Sequence, residues 1–172
     1  MYQKAQHVPY ALRELTEKEI DRLDSSGVLY RVHNSEWASL TVNVPKLQNG
    51  KMSVRICGDY KLLNATIEDD KYPLPTAQDL FGKLAHNEKT LKVFSILDLS
   101  GAFNQLEVND KSSPFATLNT HMGLYRTWCL AYGVKTALSV FQMTTDKPLA
   151  GIENVMCFIN DILGRESLNG MI

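Results

Sequence analysis

The chain of 172 residues has few of the residues that mark disulfide-rich, metal-binding or membrane proteins. Its three cysteines are widely spaced and never form a Cys-x-x-Cys pair, which predicts neither a disulfide framework nor a zinc site. The four histidines are equally scattered. No apolar run approaches the roughly 20 residues that cross a bilayer, and the N-terminus lacks the apolar segment of a secretory signal. We therefore expect an intracellular protein, cytoplasmic or nuclear, with no membrane partner.

The chain also lacks an excess of charge of either sign. Its formal net charge is −1 and its pI is about 6.4. Because phosphate neutralisation by Lys and Arg supplies most nonspecific affinity for nucleic acid, composition alone does not indicate a nucleic-acid-binding module. Hydrophobic residues make up 44% of the chain, enough for one globular core. Composition does not indicate an oligomeric state.

The residues that are present predict an α+β fold, an antiparallel sheet with helices packed on one face. Helical spacing of apolar residues predicts a helix over 12–23, with Thr16 and Glu19 as a capping box and Gly27 as its stop. A hairpin is predicted around Asn49 and Gly50, because Asn-Gly favours a tight turn. The remaining predicted strands are 40–44, 53–57, 93–98, 115–119 and 125–128, and the remaining predicted helices are 76–84, 100–105 and 136–149.

Two apolar runs each present an aspartate. The first ends at Asp98, and the second, 155–163, carries Asn160 and Asp161 at its centre, which predicts a hairpin that presents an acid. Two carboxylates on neighbouring strands supply the hard oxygen ligands that Mg²⁺ prefers. The alternative is that Asn160 and Asp161 only suit a tight turn, where both residue types tolerate positive φ. The upstream acid disfavours that alternative for Asp161 but leaves it open for Asn160.

Further motifs occur in order along the chain. They are SEWAS at 35–39, VPK at 44–46, RICGDYKLLN at 55–64, YPLP at 72–75, LDLSGAF at 97–103, FQ at 141–142 and the terminal hairpin. In this order and spacing they resemble the fingers and palm of reverse transcriptases from gypsy-type long-terminal-repeat retrotransposons. The resemblance implies a fingers-like region at 1–72 and 106–136, a partial palm at 73–105 and 137–172, and no thumb.

The resemblance also implies a catalytic site formed by Asp98, Asp161 and a degenerate Asn160, for template-directed DNA synthesis by two-metal phosphoryl transfer. Asp98, Asp161 and the backbone carbonyl of Leu99 would bind Mg²⁺ or Mn²⁺. Asn160 stands where such enzymes carry the first of two consecutive aspartates, so it offers an oxygen without a charge. If the missing charge costs about 3–4 kcal/mol, the rate falls on the order of 10²–10³-fold, and we expect weak or absent activity.

Five further residues match nucleotide-binding positions of the family. Arg55 and Lys46 would hold the incoming deoxynucleoside triphosphate (dNTP). Phe103 would exclude the ribose 2′-hydroxyl, although a core aromatic is an equal alternative. Tyr132 and Gly133 would shape the nucleotide pocket.

Two positions depart from the family pattern, because Ala131 and Leu138 stand where proline is expected. The implied partners are an RNA or DNA template-primer and a dNTP. The alternatives are a noncatalytic nucleic-acid- or partner-binding remnant and the translated fragment of a decayed element.

Overall fold

The computed structural model describes residues 1–48, 50–76, 78–80, 82 and 92–167. The helices are α1 Tyr10–Ser25, α2 Lys61–Asn64 and α3 Ala137–Leu149, with 3₁₀ turns at Ala102–Gln105 and Ser113–Ala116. The strands are β1 Leu29–Val32, β2 Ser39–Gln48, β3 Lys51–Asp59, β4 Lys92–Asp98, β5 Leu118–Thr120, β6 Gly123–Thr127, β7 Val155–Phe158 and β8 Asp161–Ser167. The predicted α+β class is confirmed.

The chain divides into two compact units, each built from two segments. The first unit comprises Met1–Glu68 and Phe103–Ala137, and the second comprises Asp69–Ala102 and Leu138–Ile172. Their assignment as fingers and palm stays a prediction.

The first unit contains a five-stranded sheet in the order β1-β6-β5-β2-β3. All neighbouring strands are antiparallel except β2 and β5, which run parallel, with Ser39 opposite Leu118. The predicted antiparallel arrangement therefore holds for every neighbouring pair of this sheet except β2 and β5. A parallel pair needs a long crossover connection, and the long stretch of chain between β2 and β5 provides one, which local sequence patterns cannot reveal.

Helix α1 begins at Tyr10, directly after Pro9, and therefore earlier than predicted. Thr16 lies inside the helix, 1% exposed, and its hydroxyl donates to the Leu12 carbonyl at 2.8 Å. The predicted capping box was therefore wrong, because a threonine within a helix bonds back to a carbonyl one turn earlier. The predicted stop is confirmed: Gly27 has a φ of +73° and its N–H donates to the Asp24 carbonyl.

The core of the first unit lies between α1 and the sheet. It comprises Ile20, Leu29, Tyr60, Leu63, Ala116, Leu118, Tyr125 and Ala131. Tyr60 is 2% exposed, and its hydroxyl donates to the Ala116 carbonyl at 3.2 Å. The one polar atom of this buried side chain is therefore satisfied.

The predicted hairpin of the first unit is confirmed. Strands β2 and β3 pair without interruption from Leu40 opposite Asp59 to Gln48 opposite Lys51. Gly50 in the turn has a φ of +73°, which glycine adopts without steric cost. Asn49 lies outside the described residues.

The second unit contains a three-stranded antiparallel sheet in the order β4-β8-β7, together with α3. The predicted strand before Asp98, the terminal hairpin and the helix over 136–149 are confirmed. The segment 72–75 has no regular structure, as its prolines predicted. Of the helix predicted over 76–84, residues 78–80 and 82 are helical, and 77, 81, 83 and 84 lie outside the described residues. Across the described ranges, no helix combines the length and apolar character needed to cross a membrane.

Candidate catalytic site

The second unit brings together the two aspartates singled out by the sequence. Asp98 is the last residue of β4, Asp161 is the first residue of β8, and the two are directly opposite in the antiparallel pair. Residues opposite each other in such a pair point to the same face, with Cβ atoms about 4.5–5.5 Å apart. The strand register therefore places both carboxylates at one end of the sheet and on one face.

A two-residue turn joins β7 to β8 next to this pair. Phe158 lies opposite Asp161, which leaves Ile159 and Asn160 as the turn. Ile159 has a φ of +56°, and Asn160 is not in the positive-φ region. This pattern is that of a type II′ hairpin turn, whose first position normally holds glycine. The positive φ that the sequence allowed at Asn160 and Asp161 therefore occurs at Ile159 instead. Because Ile159 is β-branched, this conformation costs on the order of 1–3 kcal/mol.

Asn160 contacts Asp98 directly. Its Nδ2 donates to Asp98 Oδ1 at 2.9 Å, and its backbone carbonyl accepts the Leu99 N–H at 2.8 Å. The Leu99 carbonyl accepts the Ala102 N–H at 3.1 Å, which leaves a second lone pair on that oxygen. Asn160 thus supplies a hydrogen-bond donor where the family pattern has a negative charge.

Among the described residues, two acids, Asp98 and Asp161, lie at this end of the sheet, whereas the family pattern has three. Within the described part of the chain, no group of three or more His, Cys, Asp and Glu side chains is placed to hold a metal ion. Cys157 in β7 is buried, and burial together with the Asp146 and Asp161 carboxylates raises the pKa of its thiol. A neutral thiol is a poor metal ligand and a poor nucleophile.

In the first unit, three basic residues share one face of the β2–β3 hairpin. Lys46 lies opposite Ser53, Arg55 lies opposite Val44, and Lys51 continues the same alternation. Lys46 and Arg55 are exposed, and among the described residues their side chains have no hydrogen-bond or ion-pair partner. Asp59, at the end of β3, accepts the Lys61 N–H at 3.1 Å through its Oδ1.

The other predicted nucleotide-binding residues also lie in the first unit. Phe103 is 8% exposed, Tyr132 is 48% exposed, and their ring centroids are 4.6 Å apart with planes tilted by 51°. Gly133 has a φ of +92°, and a Cβ there would lie 3.4 Å from the Gly58 carbonyl oxygen. Its own carbonyl accepts from the Asn64 side chain at 2.8 Å. A buried ring against an exposed one is compatible with both alternatives considered for Phe103.

Comparison with known families decides the class of this protein. The family model described as "Reverse transcriptase (RNA-dependent DNA polymerase)" matches residues 44–164, which include Asp98, Asn160 and Asp161. The chain belongs to the reverse transcriptase family. The gypsy-type origin stays a prediction.

This reverse transcriptase domain has relatives among much longer proteins. It is 33% identical over 165 residues to "Uncharacterized protein K02A2.6" of Caenorhabditis elegans, covering 95% of this chain and 12% of that protein. It is 30% identical over 167 residues to "Retrovirus-related Pol polyprotein from transposon opus" of Drosophila melanogaster, covering 95% of this chain and 16% of that protein. The chain therefore spans a small part of the length of these relatives.

Solved structures show the same fold. The foamy viral protease-reverse transcriptase in complex with double-stranded DNA aligns with a TM-score of 0.79 at 20% identity, covering 94% of this chain and 27% of that chain. The foamy viral enzyme in complex with an RNA/DNA hybrid aligns with the same TM-score and identity, covering 94% and 21%. These alignments confirm a reverse-transcriptase-like fold.

Sequence analysis missed one residue beside the candidate catalytic site of the reverse transcriptase domain. Gln142 in α3 is 1% exposed, donates to the Cys157 carbonyl at 3.0 Å and accepts the Ile159 N–H at 2.9 Å. The FQ motif was recognised, but it carried no role. A fully buried glutamine must find hydrogen-bond partners. The position of Gln142 in the predicted helix could have indicated that it is buried, but not which groups it bonds to.

Proposed function

We propose that this chain is a catalytic segment of a retrotransposon-derived RNA-directed DNA polymerase, and that Asn160 reduces its rate of nucleotide addition. The observation that carries the proposal is the direct pairing of Asp98 with Asp161 at one end of the second sheet. Family membership and the similarity to the Pol polyprotein of transposon opus support the same function.

The residues at the sheet end fit a divalent cation of the kind that reverse transcriptases use. Asp98 and Asp161 would provide carboxylate oxygens, and the backbone carbonyl of Leu99 has a lone pair to spare. Such oxygen donors suit Mg²⁺ or Mn²⁺. When bound, the ion lowers the cost of forming the attacking alkoxide and offsets charge on the transferred phosphate.

Asn160 works against that ion in two ways. It lacks the negative charge that a carboxylate would add, and its Nδ2–H occupies Asp98 Oδ1. That oxygen must give up the hydrogen bond before it can use the same lone pair for a cation. The retained bond does orient the Asp98 carboxylate, so Asn160 preserves the shape of the site while it reduces the negative charge.

The proposed substrates are an RNA or DNA template-primer and a dNTP. The solved foamy viral structures are described as complexes with double-stranded DNA and with an RNA/DNA hybrid, and we extend that substrate class to this chain. On the basic face of the β2–β3 hairpin, the Arg55 guanidinium and the Lys46 ammonium suit a triphosphate. Phe103, Tyr132 and Gly133 would shape the sugar and base pocket.

The test is primer extension by the purified chain on an RNA template with a DNA primer, in Mg²⁺ and in Mn²⁺. We expect slow incorporation by the wild type and an increase on the order of 10²–10³-fold in Asn160→Asp, which restores the charge. Asp98→Asn serves as the matched loss of charge and should abolish incorporation. Equal rates for wild type and Asn160→Asp would overturn the assigned role of Asn160, and no incorporation by Asn160→Asp would overturn the catalytic proposal.

The basic face supports a second candidate function, noncatalytic binding of a nucleic-acid duplex. Fluorescence anisotropy should then show affinity that falls with salt, and Arg55→Gln should reduce both the affinity and the salt dependence. Arg13→Gln is the control, because Arg13 is exposed on α1 and pairs with Glu17. Equal affinity of the two variants would exclude this face as the binding surface.

A further inference from the structure

We propose that Gln142 is the positioning residue of the β7–β8 hairpin, and that Asp146 and Tyr72 fix the orientation of its amide. The proposal rests on the proposed function, in which this hairpin carries Asp161. It concerns a chain of side chains, Tyr72, Asp146 and Gln142, which runs from the YPLP segment through α3 to the catalytic turn.

Gln142 holds the hairpin from both sides of Phe158. Its Nε2 donates to the Cys157 carbonyl at 3.0 Å, and its Oε1 accepts the Ile159 N–H at 2.9 Å. The side chain is 1% exposed, so water does not compete for these bonds. A buried amide that is satisfied by two backbone groups of one turn restricts that turn more strongly than an exposed amide would.

The partners of Gln142 permit only one orientation of its amide. Besides the Cys157 carbonyl, Nε2 donates to Asp146 Oδ1 at 2.8 Å, and an ionised carboxylate can only accept. A flipped amide would point its oxygen at two acceptors and its nitrogen at the Ile159 N–H. The Tyr72 hydroxyl donates to Asp146 Oδ2 at 2.6 Å, and this bond raises the pKa of Tyr72 and holds the carboxylate in place.

The turn needs such support because of its backbone. Ile159 adopts a φ of +56°, which is unfavourable for a β-branched residue and persists only when surrounding contacts require it. Ile159 is followed directly by Asn160, which bonds to Asp98, and by Asp161. If the Ile159 N–H lost its acceptor, the turn could relax to a more favourable φ and move Asp161 relative to Asp98. We infer that Gln142 maintains the pairing of the two acids.

The first experiment compares Gln142→Met with a control in the same helix. Methionine keeps the length of the side chain but removes all three hydrogen bonds. Thr144→Val is the control, because the Thr144 hydroxyl donates only to the Val140 carbonyl of α3, at 2.7 Å. Amide hydrogen exchange at Ile159, measured by NMR, and Mn²⁺ affinity, measured by electron paramagnetic resonance, provide two independent readouts.

We expect Gln142→Met to exchange its Ile159 amide on the order of tenfold faster than the wild type. Its Mn²⁺ affinity should fall on the order of 10–100-fold, as is usual when an outer partner of a metal ligand is lost. Thr144→Val should match the wild type in both readouts. Unchanged exchange at Ile159 would overturn the proposal, and so would faster exchange with unchanged Mn²⁺ affinity.

The second experiment exchanges the hydrogen-bonding groups of Gln142 and Asp146. Gln142→Glu alone places two carboxylates together and should loosen the hairpin. In the double variant Gln142→Glu with Asp146→Asn, the new amide can donate to the new carboxylate, which can still accept the Ile159 N–H. We expect the double variant to recover part of the exchange protection at Ile159, and no recovery would overturn the role of Asp146.

The readouts separate this inference from the proposed function. If the wild type bound no Mn²⁺, the two-acid metal site and the proposed function would fail. Protection of the Ile159 amide in wild type but not in Gln142→Met would still support Gln142 as the residue that holds the hairpin. Equal protection in both would overturn the positioning role, whatever the metal result.

Discussion

The core of the first unit and strand β4 of the second unit differ in how far their apolar side chains are buried. In the first unit, α1 and the five-stranded sheet enclose a cluster in which Ile20 is fully buried and Tyr60 is 2% exposed. In the second unit, β4 exposes apolar residues on both of its faces: Phe94 is 54%, Ile96 is 66% and Leu97 is 62% exposed. The unit that carries the candidate catalytic acids therefore relies less on apolar burial along β4.

The difference shows how the core of the first unit and the β7–β8 hairpin of the second maintain their geometry. The first unit depends on close packing, in which removing a buried side chain leaves a cavity. At the candidate catalytic hairpin of the second unit, hydrogen bonds from Gln142 and Asn160 hold the backbone and the Asp98 side chain in place. A site that must hold charge at a sheet end cannot be filled with apolar side chains, since buried charge is costly. The predictions below test this contrast, from the largest expected effect to the smallest.

The same truncation should have very different costs in the two units. Ile20→Ala removes a side chain with 0% exposure, and we expect a loss of about 2–5 kcal/mol in the free energy of unfolding. Ile96→Ala removes one that is 66% exposed, and we expect a loss of no more than about 0.5 kcal/mol. Urea denaturation measures both. Equal losses would show that the contrast in burial does not carry over to stability.

Alkaline pH should destabilise the first unit through Tyr60. Burial raises the pKa of its phenol, so the folded state retains a proton that the unfolded state loses near pH 10. Below about pH 10 the contribution of Tyr60 to the free energy of unfolding is complete. Above that pH the free energy of unfolding falls by about 1.4 kcal/mol per pH unit. Urea denaturation from pH 9 to 11.5 should show a shallower decline in Tyr60→Phe.

Tyr72 in the second unit provides the matched control. The pKa of its phenol is raised mainly by its hydrogen bond to Asp146, and its ring is only partly buried. Tyr72→Phe should therefore change the alkaline decline less than Tyr60→Phe does. Tyr125, whose pKa is also raised by burial, should leave a residual decline in both variants.

Divalent metal should stabilise the second unit alone. At a Mn²⁺ concentration ten times its Kd, binding adds about 1.4 kcal/mol to the state that binds it. Hydrogen exchange should therefore slow at amides of Leu97 and Ile162, beside the acids, and stay unchanged at Val54 in the first unit. Equal slowing in both units, or slowing retained in Asp98→Asn, would contradict a metal site at the sheet end.

Two glycines distinguish backbone strain from close packing. In the first unit, Gly133 has a φ of +92°, and a Cβ at this position would lie 3.4 Å from the Gly58 carbonyl oxygen. In the second unit, Gly151 has a φ of +86°, and a Cβ at this position would lie in open space. Alanine at either position should cost about 1–2 kcal/mol for the backbone conformation. Urea denaturation should show a slightly larger loss for Gly133→Ala, and a larger loss for Gly151→Ala would reverse the contrast.

Local patterns predicted most elements of both units. The Asn-Gly pair indicated the β2–β3 hairpin, an apolar run indicated β4, and helical periodicity indicated α1, because side-chain spacing follows backbone geometry. Thr16 shows the limit of such patterns. A threonine followed by Glu19 fits a capping box on paper, but α1 begins at Tyr10 and Thr16 lies buried within it.

The residue types at the candidate site were also available from the sequence, but their interactions were not. The order of motifs singled out Asp98, Asn160 and Asp161. It did not reveal that Asn160 donates to Asp98, that the positive φ lies at Ile159, or that Gln142 holds the turn. These contacts join residues far apart in the chain, and a hydrogen bond depends on ångström-level distances that no local pattern encodes.

The amino-acid sequence by itself determined the α+β class, most of the strands and helices, and the two acids that the sheet would carry, since each follows from side-chain periodicity or residue chemistry along a short stretch. Only the tertiary structure decided the parallel pairing of β2 with β5, the register that sets Asp98 opposite Asp161, and the hydrogen bonds around Ile159. The physical reason is that register and burial are properties of the whole folded chain, in which distant segments compete for the same partners.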